Sequence, residues 1–137
     1  MATTLGTAVH LDMAFNAALQ RTRDALKAEG FGILTEIDLQ AAFKEKLGRD
    51  FRRYVILGAC NPPLAFSAVS TDPEVGLLLP CNVTVEAAPQ GGTTVRLVDP
   101  VILLAAIDLA SGSALSALAA DTQARLQRVA RGLGGAP

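Results

Sequence analysis

The run Tyr54-Val55-Ile56-Leu57-Gly58-Ala59-Cys60-Asn61-Pro62-Pro63 constrains the fold of this chain more than any other stretch. It carries no charge, its first half is aliphatic, and it closes on a helix-start pattern. Proline is favoured at the first helical position, because its missing N–H would have no partner there, and an Asn just before it suits an N-cap. The run therefore reads as a buried strand passing directly into a helix, Pro62 to Val69. The uncharged window from Tyr54 to Thr71 approaches membrane-spanning length, yet the prolines interrupt it where a spanning helix needs about 20 unbroken residues. A second uncharged run, Leu77-Leu78-Leu79-Pro80-Cys81-Asn82-Val83, repeats the Cys-Asn pair. Both segments are expected at the centre of one small α/β domain.

The flanking sequence supplies partners for that centre. Thr4 to His10 is a short strand candidate with Leu5, Thr7 and Val9 on one face. Asp12 is placed to cap a helix whose stripe is Phe15, Ala18, Leu19, Thr22, Ala25 and Leu26, and Gly30 ends it in a left-handed turn. Phe31 to Ile37 alternates as a strand, with Phe31, Ile33, Thr35 and Ile37 sharing a face. Asp38 caps a second helix with Leu39, Ala42, Phe43 and Leu47 inward, stopped at Gly48. Val75 to Glu86 reads as a long strand interrupted at Pro80. Pro89-Gln90-Gly91-Gly92 turns it into Thr93–Val98, with Val83 and Val85 facing Val95 and Leu97. Asp99-Pro100 begins an apolar helix, Val101 to Leu109, which should be buried or face a partner. After a joint at Ser111-Gly112-Ser113, Ala114 to Arg131 forms the last helix, and 132–137 a frayed tail. The expected architecture is α/β, a mixed sheet of about five strands packed by about four helices. It begins β-α-β-α-β-α and continues through a hairpin to C-terminal helices, in one domain over 1–137 with its core at about 4–131.

Half of the 137 residues are hydrophobic and 18% are charged, less than the usual quarter or so. A chain this apolar is expected to pair as a homodimer. With 12 Lys+Arg against 13 Asp+Glu, one Tyr and no Trp, it has neither the basic field nor the stacking platform that nucleic acid requires. The N-terminus lacks a secretory pattern, so a soluble cytoplasmic protein with free thiols is expected.

Cys60 is the sharpest candidate for chemistry. At the carboxyl end of a strand, beside a helix N-terminus, a thiolate or bound anion would be stabilised by free amides and the helix dipole. The alternative is a small buried side chain. Cys81 could approach Cys60 as a redox partner, but the spacing is not Cys-x-x-Cys and a zinc site would want four ligands. His10, the one histidine, fits a surface or capping role. No resident metal or cofactor is expected. Asn61, Pro62 and Asn82 adjoin the cysteines. Glu36 and Asp38 would join the same edge if their strand ran parallel to that of Cys60. Arg49, Arg52 and Arg53 read as a solvated edge. No phosphate loop, dinucleotide fingerprint or Ser-His-Asp set is present.

The ordered motifs Gly30-Phe31-Gly32-Ile33-Leu34-Thr35-Glu36-Ile37-Asp38, Tyr54 to Pro63, and Gly76-Leu77-Leu78-Leu79-Pro80-Cys81-Asn82-Val83 resemble the family of domain of unknown function 302. The likeness spans about Asp12 to Pro100. It implies a small α/β fold in bacterial and archaeal proteins, a tendency to dimerise, and no assigned activity. It also places Cys60, Asn61, Pro62, Cys81 and Asn82 in the family's most characteristic segments. Three functions follow as expectations. The first is a homodimeric protein binding a small ligand or thiol adduct at the Cys60/Cys81 edge. The second is a thiol enzyme with Cys60 as nucleophile and Cys81 as resolving partner. The third is a purely structural module.

Overall fold

Five strands form one sheet in a computed structural model that describes residues 1–105 and 113–134. The elements are β1 (Gly6–Leu11), α1 (Phe15–Ala28), β2 (Gly32–Asp38), α2 (Leu39–Leu47), β3 (Tyr54–Cys60), α3 (Pro62–Thr71), a 3₁₀ helix (Pro73–Leu78), β4 (Cys81–Ala87), β5 (Thr93–Val98), α4 (Pro100–Ala105) and α5 (Ser113–Gly132). The strand order is β1-β5-β4-β3-β2. Every pairing is antiparallel, so the mixed sheet expected from the sequence is an antiparallel one. A helical connection of this kind commonly signals a parallel crossover. Here α2 sits beyond the end of β2 and the chain returns beside the strand it left, while α1 carries the chain from one edge of the sheet to the other.

Alternation gives the sheet two unlike faces. Val55, Leu57 and Ala59 lie opposite Val85, Val83 and Cys81, and Val95 and Leu97 continue the layer across β5 to Val9 and Thr7. Most of these side chains are fully buried, joined in one core by Ala18 and Leu26 of α1 and by Leu126, Val129 and Ala130 of α5. The opposite face carries Tyr54, Ile56, Thr84, Glu86, Thr94 and Arg96, and among the described residues no helix is packed across its centre.

Several local expectations hold. Asp38 accepts from the Ala41 amide to cap α2, Gly30 and Gly48 take positive φ after their helices, and Gly91 and Gly92 close the β4–β5 turn. Others change. Asp12 does not cap α1, which starts after Ala14 without a side-chain cap. A register shift between Ile33 and Thr35 splits the expected face of β2, leaving Thr35 and Ile37 opposite Gly58 and Ile56 on the open face. The first half of the expected strand from Val75 is the 3₁₀ helix, which Asp72 caps through the Glu74 amide; β4 begins only after the Leu79–Pro80 bond, which is cis. Leu133, expected in the tail, is buried in the core. The expected continuation of α4 to Leu109, the joint at Ser111 and Gly112, and residues 135–137 lie outside the described residues. No helix among those described is long and apolar enough to cross a membrane.

Gly58 shows how tightly the strands meet. A Cβ there would collide with Thr35 Oγ1 and come within 2.7 Å of Pro80 Cγ. Gly58→Ala is therefore expected to lose about 1–3 kcal/mol of unfolding free energy through overpacking. Leu57→Ala, at a fully buried position, is expected to lose about 2–5 kcal/mol. Urea denaturation measures both, and an unchanged midpoint for Gly58→Ala would contradict the close approach.

Candidate functional site

The β3–α3 junction forms as its sequence suggests, but its chemistry differs. Asn61 caps α3, its Oδ1 accepting from the Leu64 amide at 3.3 Å. The Ala65 amide donates to the Asn61 carbonyl at 2.9 Å. The two preceding helical positions are Pro62 and Pro63, which have no N–H to offer. All the orphan donors of this helix start are thus absent or engaged. The free amides expected to stabilise a Cys60 thiolate are missing. Asn61 instead acts as a structural tie: its amide also reaches the Glu29 carbonyl at 3.5 Å, on which Arg125 of α5 converges at 3.3 Å.

The two cysteines are free. Cys81 lies directly opposite Ala59, and Cys60 is the next residue along β3. Successive strand residues point to opposite faces, so the two thiols leave neighbouring strands on opposite sides of the sheet. Cys81 is buried, and burial, reinforced by nearby Cys60, pushes its thiol up to about 11. That leaves roughly one thiolate in a thousand at pH 8, a poor nucleophile or resolving group.

The remaining expected residues disperse. Because β2 and β3 are antiparallel, Cys60 faces Gly32, while Glu36 lies opposite Leu57 and Asp38 opposite Val55. Asp38 is about 17 Å along the strand from the Cys60 row. Glu36 pairs with Arg23. Pro62 is exposed at the start of α3, and Asn82 is exposed beside Gly58 on the open face. His10 lies on β1, three strand spacings from β3, or about 14 Å. Among the described residues no group of three His, Cys, Asp or Glu side chains can hold a metal ion.

What the fold does gather is a cavity of about 70 Å³ between the sheet end and α3, the 3₁₀ helix, α4 and α5. Phe31, Leu64, Val75, Leu79, Leu103 and Leu115 give it apolar walls, and Asn61, Cys81 and Thr122 are its few polar members. The Asn61 oxygen is spent on the α3 cap and the Thr122 hydroxyl donates to the Leu118 carbonyl at 2.8 Å. Asn61 and Cys81 are thus two expected site residues that line a real concavity, whereas Cys60 does not. The walls come from five separate elements, and no local spacing announces them.

The open face carries a second feature that the sequence reading passed over. Glu86 is only 4% exposed and is gripped by Arg52 on one oxygen and by Arg96 on the other, at 2.5 Å. Burial works to raise its carboxyl, but the hydrogen bonds and charges of Arg96 and Arg52 outweigh it and hold the group below its ordinary value of 4.5. The signal was the alternation itself: Thr84 falls between Val83 and Val85, Glu86 between Val85 and Ala87, and Arg96 between Val95 and Leu97.

Two outcomes follow. In native protein at pH 8, Cys81 should resist iodoacetamide while a free model thiol is consumed, and react once urea unfolds the chain, as mass spectrometry of the modified peptides would show. The raised thiol also stabilises the fold fully below its ordinary value of 9.0, and that contribution is lost as pH climbs towards about 11. For Glu86 the sign is opposite: a depressed carboxyl contributes above 4.5 and is lost as pH falls through the folded value. Glu86→Gln should cost about 1–3 kcal/mol at pH 7, the difference from wild type shrinking in melts below pH 4. An equal difference at both pH values would remove the charge-based account.

The sequence matches the family described as "Domain of unknown function DUF302" over residues 7–133. A crystal structure of an uncharacterized conserved protein DUF302 from Bacillus stearothermophilus is 30% identical and superposes with a TM-score of 0.81, covering 96% of this chain and 98% of that one. No curated protein matches. An antiparallel five-stranded α/β fold shared over nearly the whole length, together with the sequence match, makes this chain a member of the DUF302 family.

Proposed function

We propose that the chain is a homodimeric binding protein for a small apolar ligand, seated in the cavity beneath Cys81. The observation that carries this reading is the cavity's chemistry, an almost wholly apolar lining with one thiol held protonated. Apolar cavities of this kind stay dry and accept apolar guests, and pockets with few polar groups are the usual form of small-molecule sites. A protonated thiol favours non-covalent binding over an adduct. The alternative of Cys60 as an enzymatic nucleophile has less behind it, with no free amide at α3 and His10 on a distant strand. Two unpaired thiols suit a cytoplasmic setting.

The dimer rests on β2 and α2. Leu34 and Leu47 are 65% and 64% exposed, Ile37 is exposed beside them, and α2 has no buried residue at all. A sheet edge with apolar side chains and open backbone groups is a template for pairing, and a second copy brings the matching edge.

Benzene at millimolar concentration should raise the melting temperature of wild type by several degrees, since a ligand at 100 times its Kd stabilises by about 2.7 kcal/mol. Ala68→Leu, which fills the cavity from α3, should melt normally and lose the shift. No shift in wild type, or the same shift in Ala68→Leu, would remove the cavity as the site. Sedimentation should show a dimer that Leu34→Glu dissociates, and a monomeric wild type at tens of micromolar would end the dimer proposal.

A further inference from the structure

We infer a second binding site, for a small organic oxyanion, in the groove across the open face of the sheet. The groove is the larger concavity of the two, about 540 Å³, floored by Tyr54, Asn82, Thr84 and Arg96 and walled by the N-terminal segment through Leu5 and by Leu103 of α4. Two guanidinium groups and one carboxylate leave an excess positive charge at this face. Glu86 engages Arg96 through Nη1 alone. A guanidinium has five N–H donors in a planar fork suited to carboxylate and phosphate oxygens, and the Arg96 side chain is 47% exposed. Glu86 thus fixes one arm of the fork without exhausting it.

Thr84 adds an independent sign. It lies directly across the strand pair from Arg96, and its Oγ1 is buried with no hydrogen-bond partner among the described residues. Buried hydroxyls nearly always have partners, and an exception calls for one. That hydroxyl is shut off from the groove as it stands, and a turn about χ1 would carry it towards an oxyanion held by Arg96. The apolar walls, Leu5, Val98 and Leu103, select an anion with an organic body over a bare inorganic ion. Carboxylates and phosphate monoesters share this chemistry. The site is distinct from the apolar cavity and does not depend on it.

The test is a titration of the full chain with phenyl phosphate, benzoate, inorganic phosphate and benzyl alcohol, followed by amide NMR. Saturable shifts centred on Thr84 and Arg96 are expected with phenyl phosphate or benzoate, the stronger naming the headgroup. Benzyl alcohol and inorganic phosphate should bind at least tenfold more weakly. Arg96→Gln should weaken binding at least tenfold. Thr84→Val, which leaves the Glu86 pairs intact, should weaken it several-fold with no loss of melting temperature. Ala68→Leu should bind the anion as wild type does, whatever becomes of the apolar cavity. Absence of saturable shifts, equal binding of benzyl alcohol, or full affinity in both groove variants would overturn the inference. So would a change of association state in Thr84→Val, which would assign the face to subunit contact.

Discussion

The register of β3 against β4 is the constraint on which the rest of the molecule depends. With Ala59 opposite Cys81, Leu57 opposite Val83 and Val55 opposite Val85, the large aliphatic side chains of the two central strands reach the helix-covered side, Ile56 excepted. A slip by one residue would send this set to the open face and bring Glu86 and Thr84 into the core, at a cost no helix packing could offset. The same register fixes the chemistry. It sends Cys60 and Cys81 to opposite faces and delivers Cys81 to the apolar cavity, while the β4–β5 register aligns Thr84 and Arg96 on the open side.

Two environments of opposite character result on one thin layer. Beneath Cys81, polar atoms are few and already engaged, so the cavity favours guests that ask for no hydrogen bonds. Across the sheet, Glu86 holds two arginines in place, and half-exposed guanidinium groups retain unused donors. A buried carboxylate between two cations is costly to create and is kept charged only by them. In the oxyanion site proposed for this face, that cost would have a use.

Local signals were legible wherever the physics is local. Asn61 before Pro62, Asp38 before α2, Gly30 and Gly48 after their helices, and the Gly91-Gly92 turn all act through the backbone of a few neighbouring residues. The pairing of Val83 and Val85 with Leu97 and Val95 followed from a short hairpin. Strand direction did not, because the segment from Leu39 to Arg53 can return the chain either way and the choice is made by burial elsewhere. The shift between Ile33 and Thr35 was hidden for the same reason: it answers to Gly58 and Pro80 on other elements. For the candidate site, Asn61 and Cys81 were found and their apolar neighbours were not, since residues such as Leu115 arrive from far along the chain. The silence of the α3 amides was readable all along in Pro62-Pro63, whose value as a helix start is inseparable from their lack of N–H.

Leu103 borders both concavities, the apolar one and the groove. One isobutyl group is therefore a party wall between two compartments of unlike solvent. At that point a single residue of α4 faces an apolar interior on one side and a polar, arginine-bearing surface on the other.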